Sequence, residues 1–429
     1  MTKSISQEEI EKIRNDFPML RNVKEMQNHR FCYLDNGATT FKPDCVIKAS
    51  NSYYETWNAN THRGDYDIAH LADKRYWQAR ERVAKFVNSN PEEIVFTAGN
   101  TEGMNIVAYG ICSILSPGDE IVISTAEHAS NVLPWFNWAK NFNLVVKFAP
   151  LDDEGKVTVD TLKTVMSDKT KVISLAHVSN VLGNVIDAKA IAKLVHDNGA
   201  YFVLDGAQSI PHKKIDVKDL DCDALIFSGH KMLGPNGIGV LYGKKKLLNS
   251  IPPLLSGGGM NATFDTKCMV SYEEIPFKFE AGTQNVPGAC GLAKAMDYLD
   301  SIGMDRIDSY EYELKQIALD KLKEAKDIEI YNPNSKSGII DFNRRGVFSQ
   351  DEGTLLNSLG ICVRSGFHCA KILTDYLPKT GTVRASFYIY NNEADVDQFV
   401  DSLLKGGDIL DAYFNWFNDD ARNDDGSLR

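Results

Sequence analysis

The chain has 429 residues, 43% hydrophobic, 10% aromatic and 24% charged, the balance of an enzyme-sized globular protein. Its 47 basic against 58 acidic residues leave a formal charge of −11, which supplies no general basic face and excludes nucleic acid as principal partner. No run approaches the ~18 consecutive apolar residues of a membrane span, and the first ten residues lack the apolar core of a secretory signal, so a cytoplasmic protein is expected.

The first element is a helix: Ser6 and Glu9 have capping-box spacing, and Ile10, Ile13 and Phe17 form an apolar stripe. From residue 94 short β-rich runs alternate with helical patterns. The strand candidates are Ile94–Thr97, Ile121–Ser124, Leu144–Phe148, Lys171–Leu175, Tyr201–Leu204, Ala224–Phe227 and Ile238–Tyr242. Helices are clearest at Thr101–Leu115 and at Asp187–Asp197, where Ala188, Ile191, Ala192 and Val195 recur at helical spacing. After residue 290 come a long helix, Ile307–Ala325, then short strands and more helix; the acidic tail Asn418–Arg429 is expected to fray. Near-continuous apolar strands between helices predict an α/β fold with a mostly parallel seven-stranded sheet covered by helices. The expected division is a large domain over residues 33–290 and a smaller α+β domain from residues 1–32 and 291–429. The eight cysteines (32, 45, 112, 222, 268, 290, 362 and 369) contain no CxxC pair and no metal-ligand spacing, which predicts no metal site and reduced, mostly buried thiols.

In open α/β sheets ligands bind beyond the carboxyl ends of the strands. After the first strand comes Thr97-Ala-Gly-Asn-Thr-Glu-Gly103, a glycine and small polar residues opening a helix, suited to cup an anion on free N–H groups. After the fifth comes Leu204-Asp-Gly-Ala-Gln208, and after the sixth Ser228-Gly-His-Lys231. A desolvated strand-end carboxylate needs a cationic partner, and a lysine near buried strands can become a free-amine nucleophile. Asp205 and Lys231 alone read as a salt bridge. Joined to an anion cup they are what pyridoxal phosphate requires: a phosphate site, a pyridinium partner and a Schiff-base lysine.

Nine segments in order carry a family resemblance: Tyr33-Leu-Asp-Asn-Gly-Ala-Thr39, Asn60-Thr-His-Arg-Gly64, Glu127-His-Ala-Ser-Asn131, His177-Val-Ser-Asn-Val-Leu-Gly183, Val203-Leu-Asp-Gly-Ala-Gln208, Ser228-Gly-His-Lys-Met-Leu-Gly-Pro235, Phe279-Glu-Ala-Gly-Thr283, Val363-Arg-Ser-Gly-Phe-His-Cys369 and Val383-Arg-Ala-Ser386. From about Tyr33 to Val400 the chain resembles the class V aminotransferase-fold enzymes, specifically group II (SUF-type) cysteine desulfurases, close to selenocysteine lyases. The resemblance implies that Lys231 forms the Schiff base, Asp205 pairs with the pyridinium nitrogen and His128 stacks on the ring and relays protons. It also implies that Gln208 bonds the phenolic oxygen. Thr101, Ser228 and His230 take the phosphate, helped by Thr283 from a partner subunit. Asn180 and Arg384 hold the substrate carboxylate, for which the planar guanidinium fork is suited.

Cys369 is the implied nucleophile. Its setting, Arg364-Ser-Gly-Phe-His-Cys-Ala370, is polar, and Arg364 or His368 offers a nearby cation, whereas Cys362 in Leu359-Gly-Ile-Cys362 has a core setting. Gly37, Ala98 and Phe367 depart from the family pattern, which more often has alanine, arginine and histidine there, and Ala129 stands where some members have histidine. The implied reaction converts L-cysteine to L-alanine through a persulfide on Cys369, in a two-fold homodimer. A sulfur-acceptor protein then serves iron–sulfur cluster assembly. The alternative is a selenocysteine lyase acting on L-selenocysteine, or another class V activity such as transamination or epimerisation.

Overall fold

The structure, a computed structural model, describes residues 5–62 and 64–420. Seven strands form the central sheet: β1 (Ile94–Thr97), β2 (Glu120–Ser124), β3 (Val145–Ala149), β4 (Thr170–Ala176), β5 (Tyr201–Asp205), β6 (Ala224–Ser228) and β7 (Gly239–Gly243). Their spatial order is β1-β7-β6-β5-β4-β2-β3, parallel except for β7, which runs antiparallel to both β1 and β6. All seven expected strands are in this sheet.

Period-two alternation divides the strand side chains between two cores. Val95, Ile121, Ile123, Val172, Val203, Ile226 and Leu241 pack with Trp135 and the helix Asn100–Cys112 on one face. Phe96, Val122, Ile173, Leu175, Phe202, Leu204, Leu225, Phe227 and Val240 face the other core. That second core is continuous with Ile340, Phe342, Val383 and Phe387 of the smaller sheet and with Ile10, Ile13 and Phe17 of the N-terminal helix. The helix, α1 (Gln7–Asn15), carries the expected box: Ser6 Oγ accepts from Glu9 N, and Glu9 Oε2 from Ser6 N.

Among the helices not legible, the three longest are α2 (Asp44–Thr56), α3 (Asp67–Val87) and, further on, α6 (Val286–Ile302). They follow from packing, α6 lying against both α2 and α3. Between them come α4 (Asn100–Cys112) and α5 (Ala188–Asp197); beyond are α7 (Met304–Leu322) and α8 (Glu393–Asp420). Position 290, where a division was expected, lies inside α6, and Gly303 (φ 99°) ends that helix and starts α7. The smaller sheet has the order β8-β9-β11-β10, where β8 is Ile328–Ile330, β9 Ile339–Arg344, β10 Arg364–Gly366 and β11 Thr382–Ser386. The tail expected to fray from Asn418 is helical as far as Asp420, and its last residues lie outside the described ones. Of the cysteines, three are buried, three half-buried, and Cys268 and Cys369 exposed, so "mostly buried" overstated their burial. No helix among the described residues is long and apolar enough to cross a membrane.

The segment after Leu247, which has weak periodicity in the sequence, is partly packed on the sheet. Leu247 and Leu248 are core residues of the helix Lys245–Ser250; the protruding part is the hairpin Asn261–Phe264 with Val270–Tyr272. Phe279 and Glu280 return to the sheet edge. Arg80, fully buried, donates two hydrogen bonds of 2.8 Å to the Glu280 carboxylate, which also accepts from Phe96 N at 2.8 Å and Tyr76 Oη at 2.9 Å. Removing one partner of such a pair leaves an uncompensated charge. Glu280→Gln is therefore expected to lower unfolding free energy by about 3–5 kcal/mol in urea titration; a loss of only ~1 kcal/mol, the value of a surface pair, would contradict this reading.

Candidate active site

Five loops at the carboxyl edge of the sheet close on one cavity of about 230 Å³. Its wall includes Thr101 after β1, His128 after β2, Asn180 after β4, Asp205 and Gln208 at β5, and Ser228, His230 and Lys231 at β6. Eight of the residues expected from sequence thus meet in one place. Arg364, at the start of β10, closes the wall from the smaller sheet.

Asp205 is 4% exposed. Its Oδ1 accepts from Ala207 N at 2.9 Å and its Oδ2 from Asn100 Nδ2 at 3.1 Å; burial pushes the carboxyl up, opposed by these bonds and by Lys231. Burial lowers the Lys231 amine to about 8, against the pull of Asp205. His128 is brought down to about 4 by burial and then by Lys231, Arg364 and Arg384, so it is neutral at physiological pH. Its Nδ1 accepts from Ser130 N at 3.1 Å, which assigns the ring proton to Nε2. Beneath it Glu127 is raised to about 8 by burial and bonded to Ser124, Asn131 and Ala176 N, fixing the loop that aims the imidazole. His230, likewise lowered to about 4 by burial, meets Thr39 Oγ1 at 3.2 Å.

The anion cup sits at the N-terminus of α4. Ser228 Oγ accepts from Asn100 N at 2.8 Å, leaving its own proton for the cavity, and Thr101 Oγ1 shares a 2.8 Å bond with Ser130 Oγ. A Cβ on Gly99 would stand 3.3 Å from Ser228 Oγ, a tight contact that would press the hydroxyl back by a few tenths of an ångström. Asn100 Oδ1 and Asn180 Oδ1 are buried without a protein partner. Hydroxyls on a helix terminus, a buried acid, an amine of lowered pKa and orphaned amide oxygens fit pyridoxal phosphate.

The residues outside the cavity wall are equally informative. Arg384 is 1% exposed; its Nη1 donates to Asn180 O at 2.7 Å, its Nη2 meets Asp35 Oδ1 at 3.2 Å, and its Nε is unpartnered. Burial lowers its pKa, so its charge is incompletely compensated. A Cβ on Gly37 would fall 3.0 Å from the guanidinium, and Gln208 Nε2 donates to Gly37 O at 2.8 Å. Thr283 borders a neighbouring hollow with Ala98, Glu102 and Gly237 instead. Cys369 is exposed, and Arg364 Nη2 donates to its Sγ at 3.2 Å. His368 cannot be the cation expected there: it is 2% exposed and burial drives it down to about 3, leaving a neutral ring. Sequence reasoning also passed over Asn100, Ser130 and Arg364 as cavity residues, although each stands within a segment it singled out.

In cofactor-free protein, Lys231 is expected to react with an amine reagent with a midpoint near pH 8, the free base forming above it. Asp205→Asn is expected to lower that midpoint, because it removes the group opposing deprotonation. Peptide mapping of the adduct against pH tests this, and an ordinary lysine midpoint near ~10.4 would contradict it.

The Aminotransferase class-V family matches residues 32–399. A relative in Halalkalibacterium halodurans, described as a probable cysteine desulfurase, is 44% identical over 94% of this chain and 98% of its own. Among solved structures, the cysteine desulfurase CsdA of Escherichia coli superposes with a TM-score of 0.86 at 35% identity, over 93% of this chain and 98% of that one. The apo cysteine desulfurase of Thermococcus onnurineus superposes with a TM-score of 0.85 at 37% identity, over 91% and 96%.

Proposed function

The chain belongs to the class V aminotransferase family, and from that premise we propose that it is a pyridoxal-phosphate-dependent cysteine desulfurase. It converts L-cysteine to L-alanine and passes the sulfur to an acceptor protein for iron–sulfur cluster assembly. The observation that carries the reading is the reach of Arg364 from the cavity wall to Cys369 Sγ at 3.2 Å. A simple aminotransferase has no use for a thiol tied to the wall of its cavity.

When bound, pyridoxal phosphate supplies a carbonyl for the lysine amine and an electron-accepting ring for the substrate Cα. Lys231 Nζ, lowered to about 8, is available as the base that takes the Cα proton. Asp205 offers a desolvated carboxylate to the ring nitrogen. His128 covers the ring with an Nε2–H, and Gln208 keeps a second amide hydrogen for the phenolic oxygen. Asn180 and Arg384 take the substrate carboxylate, which would complete the compensation that the buried guanidinium lacks. Cys369 Sγ then attacks the substrate sulfur. The carbon–sulfur bond breaks, the sulfur stays on Cys369 as a persulfide, and alanine leaves.

Incubation with cysteine is expected to add one sulfur atom to the intact mass and to release alanine; Cys369→Ala is expected to abolish the mass gain and to slow alanine release roughly 10²-fold or more. Undiminished alanine formation in that variant would exclude the persulfide route.

The assembly we propose is a two-fold homodimer. A phosphate monoester carries close to two negative charges, of which one helix terminus offsets about half a charge. Thr283 borders a hollow with its own subunit's Ala98 and Glu102 rather than the cavity, and we propose that it donates to the phosphate held by the partner. Monomers produced by interface substitution are expected to hold the cofactor more weakly than the dimer in equilibrium dialysis. Full affinity in a monomer would rule the arrangement out.

A further inference from the structure

The turn that carries Cys369 is held open against its own preference. His368 (φ 50°) and Cys369 (φ 59°) are consecutive non-glycine residues in the left-handed region, a backbone that persists only where surrounding groups over-determine it. Three contacts do so. Asn180 Nδ2 donates to His368 O at 2.9 Å, Ala129 N donates to Cys369 O at 2.8 Å, and the buried His368 ring enters the smaller sheet. There its Nε2 lies 3.1 Å from Thr382 O and 3.0 Å from Thr382 Oγ1. A carbonyl only accepts, so Nε2 carries the proton, and Thr382 keeps its hydroxyl proton for the fully buried Asp341, whose Oδ1 accepts at 2.7 Å. The relay is therefore directional, from the His368 ring through the Thr382 hydroxyl to the Asp341 carboxyl group.

Its placement links it to the cavity. Thr382, Arg384 and Ser386 alternate onto one face of β11. Thr382 grips His368, Arg384 meets Asn180 O and Asp35, and Ser386 Oγ accepts from Gly37 N at 2.8 Å. One strand thus spaces the thiol turn from the guanidinium. We propose that Thr382 and Asp341 are positioning residues that, through the His368 ring, lock the turn presenting Cys369 to the cavity. The inference rests on the desulfurase reading for its kinetic consequence but not for its structural one.

Thr382→Val keeps the shape and removes the hydroxyl; Thr382→Ser restores it. With valine, kcat for alanine release is expected to fall roughly tenfold with KM within about twofold, the signature of a misplaced reacting group. Hydrogen exchange at the Ala129 amide, whose acceptor is the Cys369 carbonyl, is expected to speed up at least about tenfold. Serine is expected to return both to within about threefold of the native protein. If valine does not fold there, Thr382→Ala carries the same expectations. A folded valine or alanine variant with native kcat and native Ala129 exchange would overturn the proposal, as would a serine variant as impaired as valine. Because exchange is read without turnover, a native protein that releases no alanine refutes the desulfurase reading and leaves the positioning role decided by Ala129 alone.

Discussion

A carboxylate taken out of water at the end of a parallel strand is the constraint around which this site is arranged. Among the described residues the Asp205 carboxylate accepts two hydrogen bonds, from Ala207 N and Asn100 Nδ2, and burial opposes its charge. The same desolvation lowers the facing Lys231 amine, so the two groups are held in a balance that neither would have in water. A surface pair would have ordinary pKa values and no chemistry. The sheet makes the burial possible: β5 lies between parallel β4 and β6, and five parallel strands bring their carboxyl ends, and hence five loops, to one edge.

The large sheet was legible because its strands are short apolar runs bounded by turn residues, and each chemical residue follows a strand end within a few positions. Helix α6 was not, since Pro287, Gly288, Ala289 and Gly291 give it small residues where a stripe of large ones would announce a helix. Its cause is close packing on α2 and α3, a property of three distant segments. The placement of the two guanidiniums was equally hidden. Arg364 and Arg384 stand in similar motifs, but only pairing of β10 with β11 places Arg364 at the cavity wall and turns Arg384 toward Asp35. Asp341, Thr382 and His368 lie on different parts of the chain, and no periodicity connects them.

His368 shows how one residue type can mislead. Adjacent to a cysteine, an imidazole suggests a cation for the thiol, yet its ring points into the smaller sheet and is neutral. What it contributes is geometry, and the charge beside the sulfur comes from Arg364. Ala129 makes the complementary point, because its contact with Cys369 is made by the backbone amide, so a small side chain costs that contact nothing.

The continuity of one core through both sheets has a consequence for synthesis of the chain. Ile10, Ile13 and Phe17 belong to a cluster with Tyr390, Val396 and Phe399, far later in the chain, and Cys32 N bonds Gly360 O. During synthesis the N-terminal helix therefore lacks part of its docking site until those later segments emerge. Until then the apolar stripe of that helix is incompletely covered, and the interval is one in which the nascent protein is exposed to aggregation.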